Sequence, residues 1–293
     1  MRSAERAVAS TPLPNRQSDG VTKATRIVEN SVWRGSASVA GTRTVAEEAP
    51  IAFTYDGSSY AVMMATPRDL EDFAIGFSVT EGVVASPEEI GSLEIVEEEI
   101  GIELRMTLSG RRAAALADRR RTLAGPVGCG LCGIESLAEA ARPVPAVRGG
   151  IAIWPSAVSA ALDATKAAQA LNRQTHATHA VSLWTPADGL VALREDVGRH
   201  SALDKLAGAL ARKGIAPSEG IVVFTSRLSV ELVQKAAMVG AAIVVAVSAP
   251  TALALETAEK AGITVIAVAR SDGFEVFTHR HRVVPETQRH AVT

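Results

Sequence analysis

Both cysteines of this 293-residue chain, Cys129 and Cys132, stand three residues apart in "GCGLCG", among Gly128, Gly130 and Gly133. A disulfide closing so short a loop stabilises almost nothing, which leaves metal, redox or sulfur chemistry. The stretch also matches G-x-G-x-x-G, but a dinucleotide fingerprint follows an apolar strand and precedes an acidic residue about twenty positions on. Here "DRRRTLAGPV" precedes it, and no acidic residue lies between Glu139 and Asp163. Zinc would need two further ligands. The candidates His176 and His179 lie more than forty residues away, a separation foreign to compact zinc modules. A deaminase site orders His-x-Glu before Pro-Cys-x-x-Cys, whereas every histidine here follows Cys132. No bound metal is expected.

Sulfur chemistry needs a thiolate, and neighbouring cations lower a thiol's pKa from its usual value of about 8.5. Arg119, Arg120 and Arg121 lie just upstream. The glycines disfavour one fixed geometry, which suits a thiol that visits two partners. A second dense stretch is "REDVGRHSALDK", Arg194 to Lys205. Asp196 there is expected to cap the helix that follows. Arg199 and His200 sit in the first turn, where cations oppose the helix dipole, and together with exposed N–H groups they make an anion site. Arg227 and Arg270 each fall just past an apolar strand, with Ser248 to Thr251 following the strand between them. In a parallel sheet such positions border the ligand crevice, and several basic residues around one crevice point to phosphate.

Positioning these groups falls to an ordinary globular chain, 47% hydrophobic and 21% charged, with a formal net charge of -2. That balance argues against non-specific binding to nucleic acid. Two cysteines make no disulfide framework, and a cytoplasmic location is expected. Residues 1–20 are polar with no apolar signal region, and read as a disordered tail. The uncharged stretch from Ala236 to Leu255 reads as a buried strand, loop and helix rather than a membrane span.

Between 26 and 66 the chain reads as short strands, with a hairpin turn at Asp56-Gly57. "TPRDLEDFAIGFSVTEGVV" reads as a helix capped by Thr66, and "EIVEEEIGIELRMTL" as strand. "RRAAALADRRR" and "IESLAEAA" read as short helices. "SAVSAALDATKAAQALNR" reads as one helix, and "HAVSLWTPADGLVALRED" as a hairpin. A helix then leads to Gly214, and a clean β-α-β-α-β alternation runs to Arg270, which makes a parallel sheet. The fold class is therefore α/β. An α+β domain over 21–124 is followed by a mobile Cys-x-x-Cys loop over 125–145 and an α/β domain over 146–293.

Taken in order, "EEAPIAFTYDGSSYAVMMATPRDLEDFAIGF", "TEG", "GCGLCG", "THA", "REDVGRHSALDK", "TSRLSVELVQKAAMVG", "VSAPTALALETAEKAG" and "VAR" resemble the formate dehydrogenase accessory sulfurtransferase family, FdhD. The resemblance implies a sulfur carrier. It would take persulfide sulfur from a cysteine desulfurase and pass it to the metal of the molybdenum bis(molybdopterin guanine dinucleotide) cofactor, before that cofactor enters formate dehydrogenase. It also implies a homodimer and a C-terminal domain, with a parallel or mixed sheet, similar in fold to cytidine deaminases but without their metal. The carrier maps to Cys129, with Cys132 as companion. The cofactor-binding segment maps to Val268, Ala269, Arg270, Ser271, Asp272 and Gly273. The sequence departs from the family pattern at Val268 and Gly273, where an aromatic and a basic residue are common, and has Ser201 for a usual Asn. Two other readings stay open: a cofactor-binding chaperone that transfers no sulfur, and a thiol oxidoreductase.

Overall fold

Ile51, Phe53 and Tyr55 alternate along one strand, and every one is buried. That period commits β3 (Ala49–Tyr55) to one dry face. It lies inside a four-stranded sheet of order β4-β3-β6-β5, with β4 (Ser58–Ala65), β5 (Ile90–Glu98) and β6 (Gly101–Leu108). Asp56 (φ 48°) and Gly57 (φ 74°) form the expected turn between β3 and β4; both adopt the positive φ that a two-residue hairpin of matching twist demands. The dry face is covered by α1 (Leu70–Thr80), whose Phe77 stacks on Phe53 at 3.9 Å and whose Phe73 meets it edge-on at 4.9 Å. The computed structural model describes residues 24–110, 112 and 144–287. The expected tail, the two short helices around the cysteine loop, and Cys129 and Cys132 themselves lie outside them.

Thr66 is not the cap of α1. The helix begins three residues beyond the expected turn, with Asp69 at its N-cap (φ 55°). The reason is tertiary: the Thr66 N–H donates to Asp196 (3.0 Å) and its carbonyl accepts from Lys205 (2.7 Å). Ahead of the sheet, β1 (Thr25–Arg34) and β2 (Ala37–Ala46) pair, among the described residues, only with each other, as longer strands than the sequence suggested.

The second sheet has order β12-β11-β10-β9-β7-β8. Its strands are β7 (His179–Thr185), β8 (Gly189–Asp196), β9 (Ile221–Phe224), β10 (Ile243–Ala246), β11 (Thr264–Arg270) and β12 (Gly273–Val276). The β9-β10-β11 core is parallel, as read from the alternation, and antiparallel β7 and β12 flank it, so the sheet is mixed. Helices α4 (Arg199–Ala211), α5 (Val230–Met238) and α6 (Ala252–Ala261) take one face, while α2 (Pro155–Ala168) crosses the other. The apolar stretch around Ile243 is strand, loop and helix. Among the described residues no helix is long and apolar enough to cross a membrane.

The single alanine-rich helix expected after Pro155 is two. It breaks at Gln169 (φ -69°, ψ 78°) and restarts as α3 (Ala170–Thr175). Glu195 on β8 causes the restart, because its carboxylate accepts the Leu171 and Asn172 N–H groups at 2.8 and 2.7 Å. A new helix N-terminus is thereby satisfied from a neighbouring strand.

The two sheets are joined through α1 and α4, which meet backbone to backbone. A Cβ on Gly76 would lie 1.7 Å from the Asp204 carbonyl, and one on Gly208 would lie 1.9 Å from that of Asp72. Three ion clusters stitch this seam. Lys205 donates to Asp196 at 2.5 Å, and Lys235 to Asp204 at 2.8 Å and Glu81 at 2.6 Å. Arg194 and Arg212 both reach Asp72. Asp196 does accept the Gly198 N–H at 2.7 Å, as a residue ahead of the helix should. Its main office is different: it is fully buried and neutralises Lys205.

Candidate functional site

At one edge of the second sheet β9, β10 and β11 reach their carboxyl ends, β8 ends and β7 begins. A cavity of about 460 Å³ opens there between α2 and the strand ends. Its floor and walls are apolar where Val223, Val247, Ala269 and Leu162 face it. Several of its polar groups are already committed. The Thr225 hydroxyl accepts the Ala180 N–H at 2.8 Å, Thr165 is bonded to Ser182 at 2.7 Å, and Thr178 donates to Glu195 at 3.4 Å. Lys166 and Arg270, both exposed, form no ion pair among the described residues, and the exposed Asp163 carboxylate lines the same cavity. The buried Gln169 has no hydrogen-bond partner among the described residues.

His179 opens β7 in the same wall. Burial, and then the nearby Arg199 charge, hold its imidazole below the usual 6.5, so it is neutral at pH 7. A cavity with two unpaired cations against the single carboxylate of Asp163, a neutral imidazole and apolar flanks suits a ligand that carries both phosphate and a flat ring.

The strand that delivers Arg270 is irregular at the right place. Val268 has φ 51°, an outlier for a β-branched residue. The pairing of β11 with β12 slips between Ala267 and Arg270, and the Val268 N–H turns to the Ser248 carbonyl at 3.3 Å. Bulges of this kind re-aim side chains at the rims of sites. Here the slip brings Ala269, Arg270 and Ser271 into the cavity lining. Ser271 and Asp272 form the turn into β12, which Gly273 opens.

The remaining sequence candidates stand nearby without lining the cavity. Arg227 is exposed in the loop after β9, which pairs with the loop after β10 through the Leu228 and Thr251 N–H groups. Ser248 supports the bulge, and the Thr251 hydroxyl caps α6 by accepting from Ala254. Arg199 and His200 begin α4 and are not among the residues that line the cavity, although the Arg199 charge lies near enough to act on His179 in its wall. The His200 Nε2 stands 3.5 Å from Glu231, a carboxylate held by Ser229 at 2.7 Å. Burial, then Arg199, keep His200 below its usual pKa. The buried Nε of Arg199 has no acceptor among the described residues.

Reading the sequence missed Lys166, Gln169 and His179 as lining residues. Asp163, Lys166 and Gln169 recur every three positions along an alanine-rich segment, which resembles a solvated helix face. The signal that could have found His179 was "THA", Thr178 to Ala180, at the start of its strand.

The fold is that of a mixed α/β protein with a cavity at its strand ends, and comparison with known proteins gives its family. Residues 46–284 match the FdhD/NarQ family, and the chain belongs to it. The sulfur carrier protein FdhD of Agrobacterium fabrum is 50% identical over 260 residues, covering 88% of this chain and 96% of its own. The protein of the same name from Brucella abortus is 51% identical over 263 residues, covering 89% and 98%. A crystal structure from Desulfotalea psychrophila, described as that of a formate dehydrogenase accessory protein, superposes with a TM-score of 0.69 at 24% identity. It covers 89% of this chain and 100% of its own.

Proposed function

We propose that this chain is a sulfur carrier for the maturation of formate dehydrogenase. The observation that carries the reading is the dithiol "GCGLCG" in a chain half identical, over nearly its whole length, to proteins named sulfur carriers. Cys129 as thiolate attacks the outer sulfur of a cysteine desulfurase persulfide. The donor leaves as thiolate, and Cys129 becomes the persulfide. Cys132 then attacks the inner sulfur, which releases hydrosulfide and leaves a Cys129–Cys132 disulfide for an external thiol to reduce. The recipient is the metal of the molybdenum bis(molybdopterin guanine dinucleotide) cofactor, bound as cargo before it enters formate dehydrogenase.

In this reading the cavity beneath α2 holds part of the cargo, with Lys166 and Arg270 on its phosphates and the strand-end valines against a ring. The protein works in the cytoplasm as a homodimer. Incubation with a desulfurase and cysteine, followed by intact mass spectrometry, tests the carrier step. A gain of one or more sulfur atoms, removed by dithiothreitol and absent in Cys129→Ala, is the expected outcome. Client activation that survives Cys129→Ala would instead identify a chaperone that delivers the cofactor without sulfur.

A further inference from the structure

We propose that Gln169 is the specificity-determining residue of the cavity. Its carboxamide reads the adjacent N–H and C=O of a flat heterocycle at the deep end, while Lys166 and Arg270 hold phosphate at the mouth. The inference rests on the reading of this cavity as the cargo site.

Three observations carry it. Gln169 is 8% exposed and lines the cavity, yet its side-chain amide has no hydrogen-bond partner among the described residues. The amide is not sealed in the interior, as the Arg199 Nε is, but opens onto the cavity, where a ligand can reach it. Around it, the hydroxyls of Thr165, Thr178 and Thr225 are all engaged, which leaves this amide, with the His179 ring, free to meet a ligand.

The second observation is rigidity. Gln169 sits at the joint between α2 and α3, and Glu195 fixes the residues that follow it through two backbone N–H groups. A reading group held at a pinned joint keeps its geometry when the ligand arrives. The third is the gradient along the cavity. Lys166 and Arg270 are exposed, Gln169 is buried, and Val223, Val247 and Ala269 offer apolar surface to the faces of a ring.

A carboxamide presents one acceptor beside one donor. Its complement is a ring edge with a donor beside an acceptor, the cyclic amide that guanine and pterin rings share. A lysine or arginine in its place would supply donors only. The arms of the test therefore separate the two rings.

Calorimetry on the full-length protein uses GDP, 6-hydroxymethylpterin and inorganic pyrophosphate, against the wild type, Gln169→Met and the equally sized Gln169→Glu, with melting curves as a folding control. GDP should bind the wild type at least tenfold more tightly than pyrophosphate. Gln169→Met should weaken GDP by about 10- to 100-fold and leave pyrophosphate unchanged. If the pterin is the ring read here, the same loss appears with hydroxymethylpterin instead. Unchanged affinity for both rings in both folded variants would overturn the assignment of Gln169 while leaving the cargo site standing. Failure of all three probes to bind the wild type would overturn the cargo site, and this inference with it.

Discussion

Lys205 has no exposed surface, and its ammonium rests on the Asp196 carboxylate, the Thr66 carbonyl and, at 5.3 Å, the ring of Phe73. Burial pushes the pKa of Asp196 up and that of Lys205 down, each toward neutrality, while their mutual charge holds the pair together. Removing one partner strands the other in a dry site. Lys205→Met is therefore expected to cost about 3–5 kcal/mol in urea denaturation. Lys205→Met combined with Asp196→Asn should cost less than Lys205→Met alone, and a double variant no better than the single would show that the charges are uncoupled. The sequence placed both residues in one quoted stretch, yet their pairing was not legible. They are nine positions apart with a strand end and two helical turns between, and the third partner, Thr66, lies 130 positions before Asp196. Local spacing reveals caps; it does not reveal ion pairs closed by tertiary contact.

Among the elements, α1 and α4 depend on two glycines. Neither Gly76 nor Gly208 has unusual backbone angles; each is required because the facing carbonyl occupies the place of a Cβ. Gly76→Ala must separate the helices, and overpacking of this kind costs about 1–3 kcal/mol, sometimes more. A fall in the urea midpoint with an unchanged slope is the expected result, and an unaltered midpoint would mean that the helices slide freely. The strands β9, β10 and β11 of the second sheet were legible because each is built on an apolar run bounded by glycine or a polar turn, as a strand covered on both faces is. The break at Gln169 was not, since the carboxylate that restarts α3 comes from Glu195, 26 positions later. The site suffered in the same way: Arg270 and Ser271 were visible as strand-end residues, but Lys166 and Gln169 became wall only when α2 was laid across the sheet.

At the scale of the molecule, the two sheets share one seam whose stitches are polar or charged, mostly buried, and drawn from both sides: Thr66, Asp72, Thr80 and Glu81 from before Cys129, Arg194, Asp196, Asp204, Lys205, Arg212 and Lys235 from after it. Alone, the first half would leave Asp72 and Glu81 without their cations, and the second would leave Arg194 and Arg212 without Asp72. The Lys205–Asp196 and Lys235–Asp204 pairs stay within the second half, yet the halves are expected to need each other whatever chain connects them. Covalent continuity is then a convenience of synthesis. Produced in one cell as two separate polypeptides, residues 1–128 and 129–293, the halves should find each other and elute as a single particle under native conditions, parting only in denaturant. Either half recovered alone and folded would break that expectation. The cut falls immediately before Cys129, so the reassembled pair would carry the thiol proposed above as the carrier on a free chain end, beside a new amine.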